Sequence, residues 1–376
     1  MPQAAKTLIF HIGDHKTGST SIQYAFAQKR VQLEGRTVFY PAKIALNQLR
    51  RHFEAEEDGG PQAAARAQKV FATLGERLKA ADQDYCLVSA EGFETVPAAS
   101  FHQTLRQHWM AGGERVRVIA YVRPHAARVI SSFAERVKIG GGKVIDTDPD
   151  GFFAQMQQVD RFLYHARFMA WRQEFGDGFL LRPMIRDQLR EGDVVQDFVH
   201  HAFDGTPFRL LEGASANESF CLEDLMRLKV LQSQMGDLPQ AVRHVFGWEF
   251  GRVLGAMPPS ATRTRLQLHR GLAERIRDEY LEDARAMDRD FFGGKPLLET
   301  ELDRACADAL PEPQSVLPED HLPAEEIRSL TATGRILAGV FAHEGVNWTG
   351  YLHDKRVQEV REVARSITGG KRRRNG

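Results

Sequence analysis

The segment Gly13-Asp-His-Lys-Thr-Gly-Ser-Thr20 gathers residue types that hold phosphate. It follows directly on a short apolar run, Thr7–Ile12, and leads into a helical pattern. A turn of this kind points several backbone N–H groups, and the positive end of a helix dipole, at one place where an anion is favoured. Lys16 adds a mobile full charge, and Ser19 and Thr20 add hydroxyl donors. The chemistry expected here is the binding of a phosphorylated ligand. The spacing is not that of a Walker A loop. Gly13 and Gly18 have the right separation, but Ser19 stands where that motif requires lysine, and Lys16 precedes Gly18 by two residues. The bland alternative is an ordinary strand-to-helix turn capped by Ser or Thr.

A second constellation lies a hundred residues on. Val116–Val122 is nearly all apolar or β-branched and reads as a buried parallel strand. It ends in Arg123-Pro124, and Pro124 suits a helix start because it has no N–H to lose there. Arg123 then sits at the carboxyl end of a strand, with Ser131 about two helical turns further on and Ser132 in reserve if the register slips. An arginine fork is suited to bidentate contact with phosphate. Taken alone, Arg123 could equally serve a surface ion pair.

The order Lys16-Thr-Gly-Ser-Thr20 resembles the 5′-phosphosulfate loop, Lys-x-Gly-Thr/Ser-Thr, of sulfotransferases that use 3′-phosphoadenosine 5′-phosphosulfate (PAPS) as sulfuryl donor. That family also carries an Arg at a strand end and a Ser eight residues later, the spacing of Arg123 and Ser131. Its Pro often lies two residues after the Arg, whereas Pro124 follows directly. The stretches Arg161–Gly176, Phe179–Pro183, Gln188-Leu189, Asp197-Phe198 and Ile276–Arg285 look like the bacterial branch. The resemblance covers residues 5–293, and the two phosphate motifs are its specific part.

The resemblance implies a P-loop-type three-layer α/β fold with a central parallel sheet flanked by helices, and PAPS as co-substrate; no metal is expected, since the sequence shows no Asp/Glu/His spacing of known ligand type. It implies that Thr17, Gly18, Ser19 and Thr20 hold the 5′-phosphate with Lys16. It makes Lys16 the group that stabilises the leaving oxygen, and Arg123 and Ser131 the ligands of the 3′-phosphate. The acceptor would be a hydroxyl or amine of a small molecule, lipid or glycan, and it needs a general base. Members of the family place a His or Glu near the end of the third strand. Glu91 is therefore the candidate, with Glu94 behind it; the alternative is a carboxylate that only complements a helix dipole. His15, inside the loop, is the rival, and His11 reads as a satisfied core histidine. Two other readings are an atypical P-loop kinase and a nucleotide-binding scaffold without activity. A kinase should show Gly-Lys-Ser/Thr and an acidic Mg²⁺ ligand at a strand end.

The elements that must position these residues read as an alternation. Strands are expected at Thr7–Ile12, Thr37–Tyr40, Tyr85–Ser89, Val116–Val122 and Phe179–Arg182. Helices are expected at Thr20–Gln32, Pro61–Ala81, Ala98–Met110, Ala126–Ile139 and Asp160–Glu174. Such alternation implies βαβ crossovers and a parallel sheet covered on both faces. Ligands bind such sheets at the carboxyl ends of the strands, where both phosphate motifs fall. Two long polar loops are expected, the acidic Glu54–Pro61 and Gly140–Pro149, whose glycines could hinge a lid. Loops around Tyr40–Arg51 and Gly140–Asp150, with the helical region after Ser215, would build the acceptor pocket. Residues 1–293 form the sulfotransferase-like domain, 294–323 a Pro-rich linker and 324–376 a helical C-terminal extension.

The 376 residues carry 50 basic and 50 acidic side chains, so no global positive field favours nucleic acid, and charge must be placed locally to hold an anion. No apolar run reaches about 18 residues, so no transmembrane helix is expected. The first expected strand begins within a few residues of the first one, so no signal peptide is expected. The 3 cysteines are far apart and lack metal spacing, which suits a reduced cytoplasmic setting, and Cys86 reads as core. The tail Lys371–Arg374 is either a solvated end or a peripheral contact for an anionic membrane surface or polyanionic acceptor.

Overall fold

The computed structural model describes residues 6–142, 145–213 and 220–374, the last five as backbone alone. Lys143 and Val144 of the expected lid loop, Ser215 and the side chains of Lys371–Arg374 lie outside the described residues. In chain order the elements begin with β1 (Thr7–His11), α1 (Ser19–Ala27), β2 (Val31–Leu33), β3 (Val38–Phe39), α2 (Leu49–Asp58), α3 (Gly60–Ala80) and β4 (Tyr85–Ser89). A 3₁₀ turn at Glu91–Thr95 leads to α4 (Ala98–Thr104), β5 (Arg115–Val122), α5 (His125–Lys138), α6 (Pro149–Gln157) and α7 (His165–Phe175). Then come β6 (Phe179–Pro183), α8 (Val194–Ala202), β7 (Phe208–Leu210), α9 (Leu222–Ser233) and α10 (Gln240–Gly255). The chain closes with α11 (Arg270–Phe291), α12 (Leu297–Ala307), α13 (Ala324–Phe341) and α14 (Trp348–Arg374). Among the described residues no helix is long and apolar enough to cross a membrane.

Two compact units emerge. The first comprises Met1–Arg123, His165–Ala216 and Glu359–Gly376, and the second Pro124–Tyr164 and Asn217–Gln358.

The first unit is α/β. Its parallel sheet has the order β3-β4-β1-β5-β6, built from the five expected strands. β1 and β4 are buried at every residue, which explains their near-continuous apolar runs. Alternate residues of β1 serve opposite faces. Ile9 joins Leu87, Ile119 and Tyr121 against Ile22 and Phe26 of α1 and Phe198 and Val199 of α8. Phe10 faces the other way, into an aromatic layer: it lies 5.2 Å from Phe101 and 5.5 Å from Trp109, with Phe53 4.7 Å from Phe71. The Trp109 indole satisfies its one donor on Phe71 O at 3.0 Å.

Three local expectations fail for physical reasons. Glu54–Asp58 is not loop but the end of α2, which Leu49 and Phe53 anchor by burial one turn apart; the Gly59-Gly60 break follows it, with Gly60 at φ +73°. α1 stops at Ala27 rather than running to Gln32, because Lys29 turns left-handed at φ +58° and Lys29 N–H bonds back to Phe26 O. The chain released there forms β2, which pairs antiparallel with β7. α7 begins at His165, five residues after the expected start at Asp160, which itself has φ +46°.

The second unit is helical as described. α9 packs Leu228, Leu231 and Met235 with Phe246 of α10, against Leu330, Leu337 and Phe341 of α13. His125, at the start of α5, is stacked between Tyr164 and Tyr280 at 4.4 and 4.9 Å, with Nε2 3.0 Å from Asp283. In the Pro-rich stretch, α12 buries Leu298 and Leu302.

Candidate anion site at the end of the parallel sheet

β1 lies at the centre of the sheet, with β4 on one side and β5 on the other, so the carboxyl end of β1 opens between theirs. The loop that leaves it starts rigidly. Ladder bonds continue beyond the strand from Ile12 N to Ile119 O (3.0 Å), from Tyr121 N to Gly13 O (2.8 Å) and from Asp14 N to Tyr121 O (3.0 Å). Gly13 sits at φ +98°, where a Cβ would stand 3.0 Å from Glu91 O, so only glycine lets the loop lie this close to the end of β4.

The next residues shape a cradle. Lys16 and Gly18 are both left-handed, at φ +64° and +78°, and Gly18 is the N-cap of α1. A lysine held in that region marks a conformation that its surroundings enforce. Thr17 Oγ1 and Ser19 Oγ both donate to Asp14 O, at 2.6 and 3.1 Å, and so tie the loop to itself. Both side chains are buried. The Ser19 hydroxyl proton is therefore spent on the loop. Thr20 keeps its hydroxyl at the half-buried surface. Among the described residues, the backbone N–H groups of Thr17, Gly18, Ser19 and Thr20 make no hydrogen bond; the first helical bonds are those of Ser21 and Ile22 to Gly18 O. Four amides at a helix start, with the dipole behind them, form a ready anion site.

Charged groups converge on this loop from three elements. Arg123 Nη1, just past β5, donates to Lys16 O at 2.9 Å. Arg167 of α7 grips the buried Asp14 carboxylate with both nitrogens, at 2.6 and 2.7 Å. That pair was not anticipated. A carboxylate inside an anion cradle would repel its ligand, and Arg167 neutralises it from 153 positions away. The signal that could have found it is the presence of Asp14 in such a loop, which demands a cation somewhere.

The carboxylates after β4 take separate partners. Glu91 N–H donates to Asn47 Oδ1 at 3.0 Å, and Asn47 Nδ2 donates back to Glu91 Oε1 at 3.3 Å. Glu94 is buried and accepts from His15 N–H at 3.1 Å, and it is also hydrogen bonded to His15 Nδ1. His11 behaves otherwise. It is fully buried, 2.8 Å from Ser89 Oγ through Nδ1 and packed on Phe198, and burial lowers its pKa to about 3. Among the described residues its Nε2 has no partner, so the expectation of a satisfied core histidine holds for one nitrogen only.

The structure thus brings Lys16–Thr20, Glu91, Glu94, His15 and Arg123 to one end of one sheet. Ser131 belongs to the second unit, two turns into α5. On the same helix Arg128 is buried, and burial, with the charge of Arg161, pushes Arg136 below its ordinary value. A separate cavity of about 500 Å³, lined by His102, Leu105, Arg106, Glu174 and Phe175 among others, lies beside the start of β5 and includes none of the loop residues. Comparison of the chain with family models, curated proteins and solved structures gives no match.

Proposed function

We propose that the protein is a cytoplasmic sulfotransferase of P-loop type that moves a sulfuryl group from PAPS to a hydroxyl or amine acceptor. The observation that carries this reading is the cradle: four backbone amides from Thr17 to Thr20 that have no acceptor among the described residues, flanked by Lys16 and by the Arg123 guanidinium. An acid in the loop already neutralised by Arg167 supports the same reading, since it leaves the cradle able to take an anion.

In this reading the amides and the Thr20 hydroxyl hold the 5′-phosphate, and Arg123 serves the 3′-phosphate with its fork. The acceptor oxygen or nitrogen attacks sulfur in line. The bond between sulfur and the bridging oxygen breaks, and that oxygen leaves with its electron pair on the 5′-phosphate of 3′,5′-adenosine bisphosphate (PAP). Lys16 meets the charge that develops there. Positioning and electrostatics supply most of such catalysis.

The test is release of PAP from PAPS, without added metal, with a phenol, an alkyl alcohol and an amino sugar supplied together. The wild-type protein should release PAP, and Lys16→Ala should slow release by about 10²–10³-fold, the usual cost of one lost electrostatic stabiliser. Absence of PAP release, or release indifferent to Lys16, would contradict the reading.

A further inference from the structure

We infer that His15, held by Glu94, is the proton acceptor of the transfer step, and that Glu94 is its positioning residue. The inference rests on the sulfotransferase reading and adds to it the group that activates the acceptor.

The geometry is that of a carboxylate–imidazole dyad. One Glu94 oxygen engages both the backbone N–H and the ring Nδ1 of His15, so the loop fixes the carboxylate beside the ring and the ring cannot swing without breaking its Nδ1 bond. Glu94 is 3% exposed and His15 32%, so the carboxylate lies inside and the imidazole edge outside. With the Nδ1 proton turned to the carboxylate, Nε2 carries the lone pair, the arrangement by which a buried acid orients a histidine base. Nε2 makes no hydrogen bond among the described residues. His15 also immediately precedes Lys16, so one short loop supplies both the base and the cation for the leaving oxygen. Glu91, by contrast, is engaged at both its N–H and its Oε1 by Asn47.

The charged groups on the elements around the ring are Glu94 and Glu91 after β4, Asp14 and Lys16 in the loop, Arg167 on α7 and Arg123 after β5. Asp14 and Arg167 cancel each other. In the step, the acceptor's O–H or N–H proton passes to His15 Nε2 as its oxygen or nitrogen bonds to sulfur, and the electron pair of the broken bond stays on PAP.

Two measurements test this. In the first, the pH profile of PAP release is compared among wild type, His15→Gln, Glu94→Gln and Glu91→Gln, with PAP affinity measured alongside. Wild type should lose rate at acid pH as the base is protonated. His15→Gln should lose at least about 100-fold at neutral pH together with that acid limb, the lower end of what a general base contributes, and bind PAP within about twofold of wild type. Glu94→Gln should fall less, and Glu91→Gln should keep the profile. If Glu91→Gln abolishes the acid limb and His15→Gln retains it, the inference is overturned and the sulfotransferase reading stands. If His15→Gln weakens PAP as much as it slows release, His15 is a phosphate ligand and the inference is equally overturned. If wild type neither binds PAP nor releases it, the sulfotransferase reading itself fails, and the inference with it.

The second readout needs no turnover: ring ¹⁵N NMR of histidine-labelled protein, with the His15 signal identified by its absence in His15→Gln. The neutral ring should carry its proton on Nδ1, and Glu94→Gln should release that preference. A neutral ring protonated on Nε2 would overturn the inference.

Discussion

His11 and His15 are four residues apart and live in different media. His11 ends β1, buried on both sides of the sheet, with its charge suppressed by the absence of water. His15 stands in the loop beyond, half-exposed and tied to a carboxylate that orders its ring. The difference marks the line between two regions of the first unit. Inside the sheet, packing dominates and the His11 ring is held uncharged. At its carboxyl end, the rules of packing are broken in favour of polar geometry: a lysine turned left-handed, a buried aspartate answered by a distant arginine, and amides left open at a helix start.

Breaking the interior should cost stability. Phe101 touches Phe10, Phe53, Phe93, Trp109 and Trp171, and is fully buried. Phe101→Ala should destabilise the protein by about 3–5 kcal/mol in denaturant unfolding, the range for emptying an aromatic core site. The variant that remains folded should bind PAP normally. A loss of affinity equal to that of Arg123→Ala would erase the distinction between the regions.

His11 gives a smaller, pH-dependent effect with a definite sign. Its pKa is about 3 when folded against 6.5 when unfolded. Below 6.5 the unfolded chain takes up a proton that the folded protein refuses. The neutral ring's full contribution is therefore present above 6.5 and declines as pH falls toward 3, by about 1.4 kcal/mol per pH unit at most. His11→Gln should remove this part of the acid sensitivity, as measured by urea unfolding between pH 7 and 4. An unchanged slope would mean that the ring is not desolvated as its burial indicates.

The sheet was legible in the sequence because its strands are short, apolar and buried, and the pattern that buries them is local. The cradle was legible in part for the same reason: Gly13, Lys16, Gly18 and the hydroxyls are consecutive. What could not be read joins distant segments. Arg167 meets Asp14 across half the first unit's chain, and nothing in the sequence around either residue names the other. The same holds for Asn47 with Glu91 and for β2 with β7. α2 was hidden for a different reason: only Leu49 and Phe53 mark its buried face, and the acidic run followed by Gly59-Gly60-Pro61 looks like a loop.

The most direct test of the account is calorimetric titration of the protein with PAP, against AMP and ATP, without magnesium. The cradle with Arg123 predicts that PAP binds more tightly than AMP and that Arg123→Ala weakens it by roughly 10–100-fold, the worth of a charge-assisted hydrogen bond. No binding of PAP, with ATP binding once magnesium is added, would contradict the account and favour a kinase.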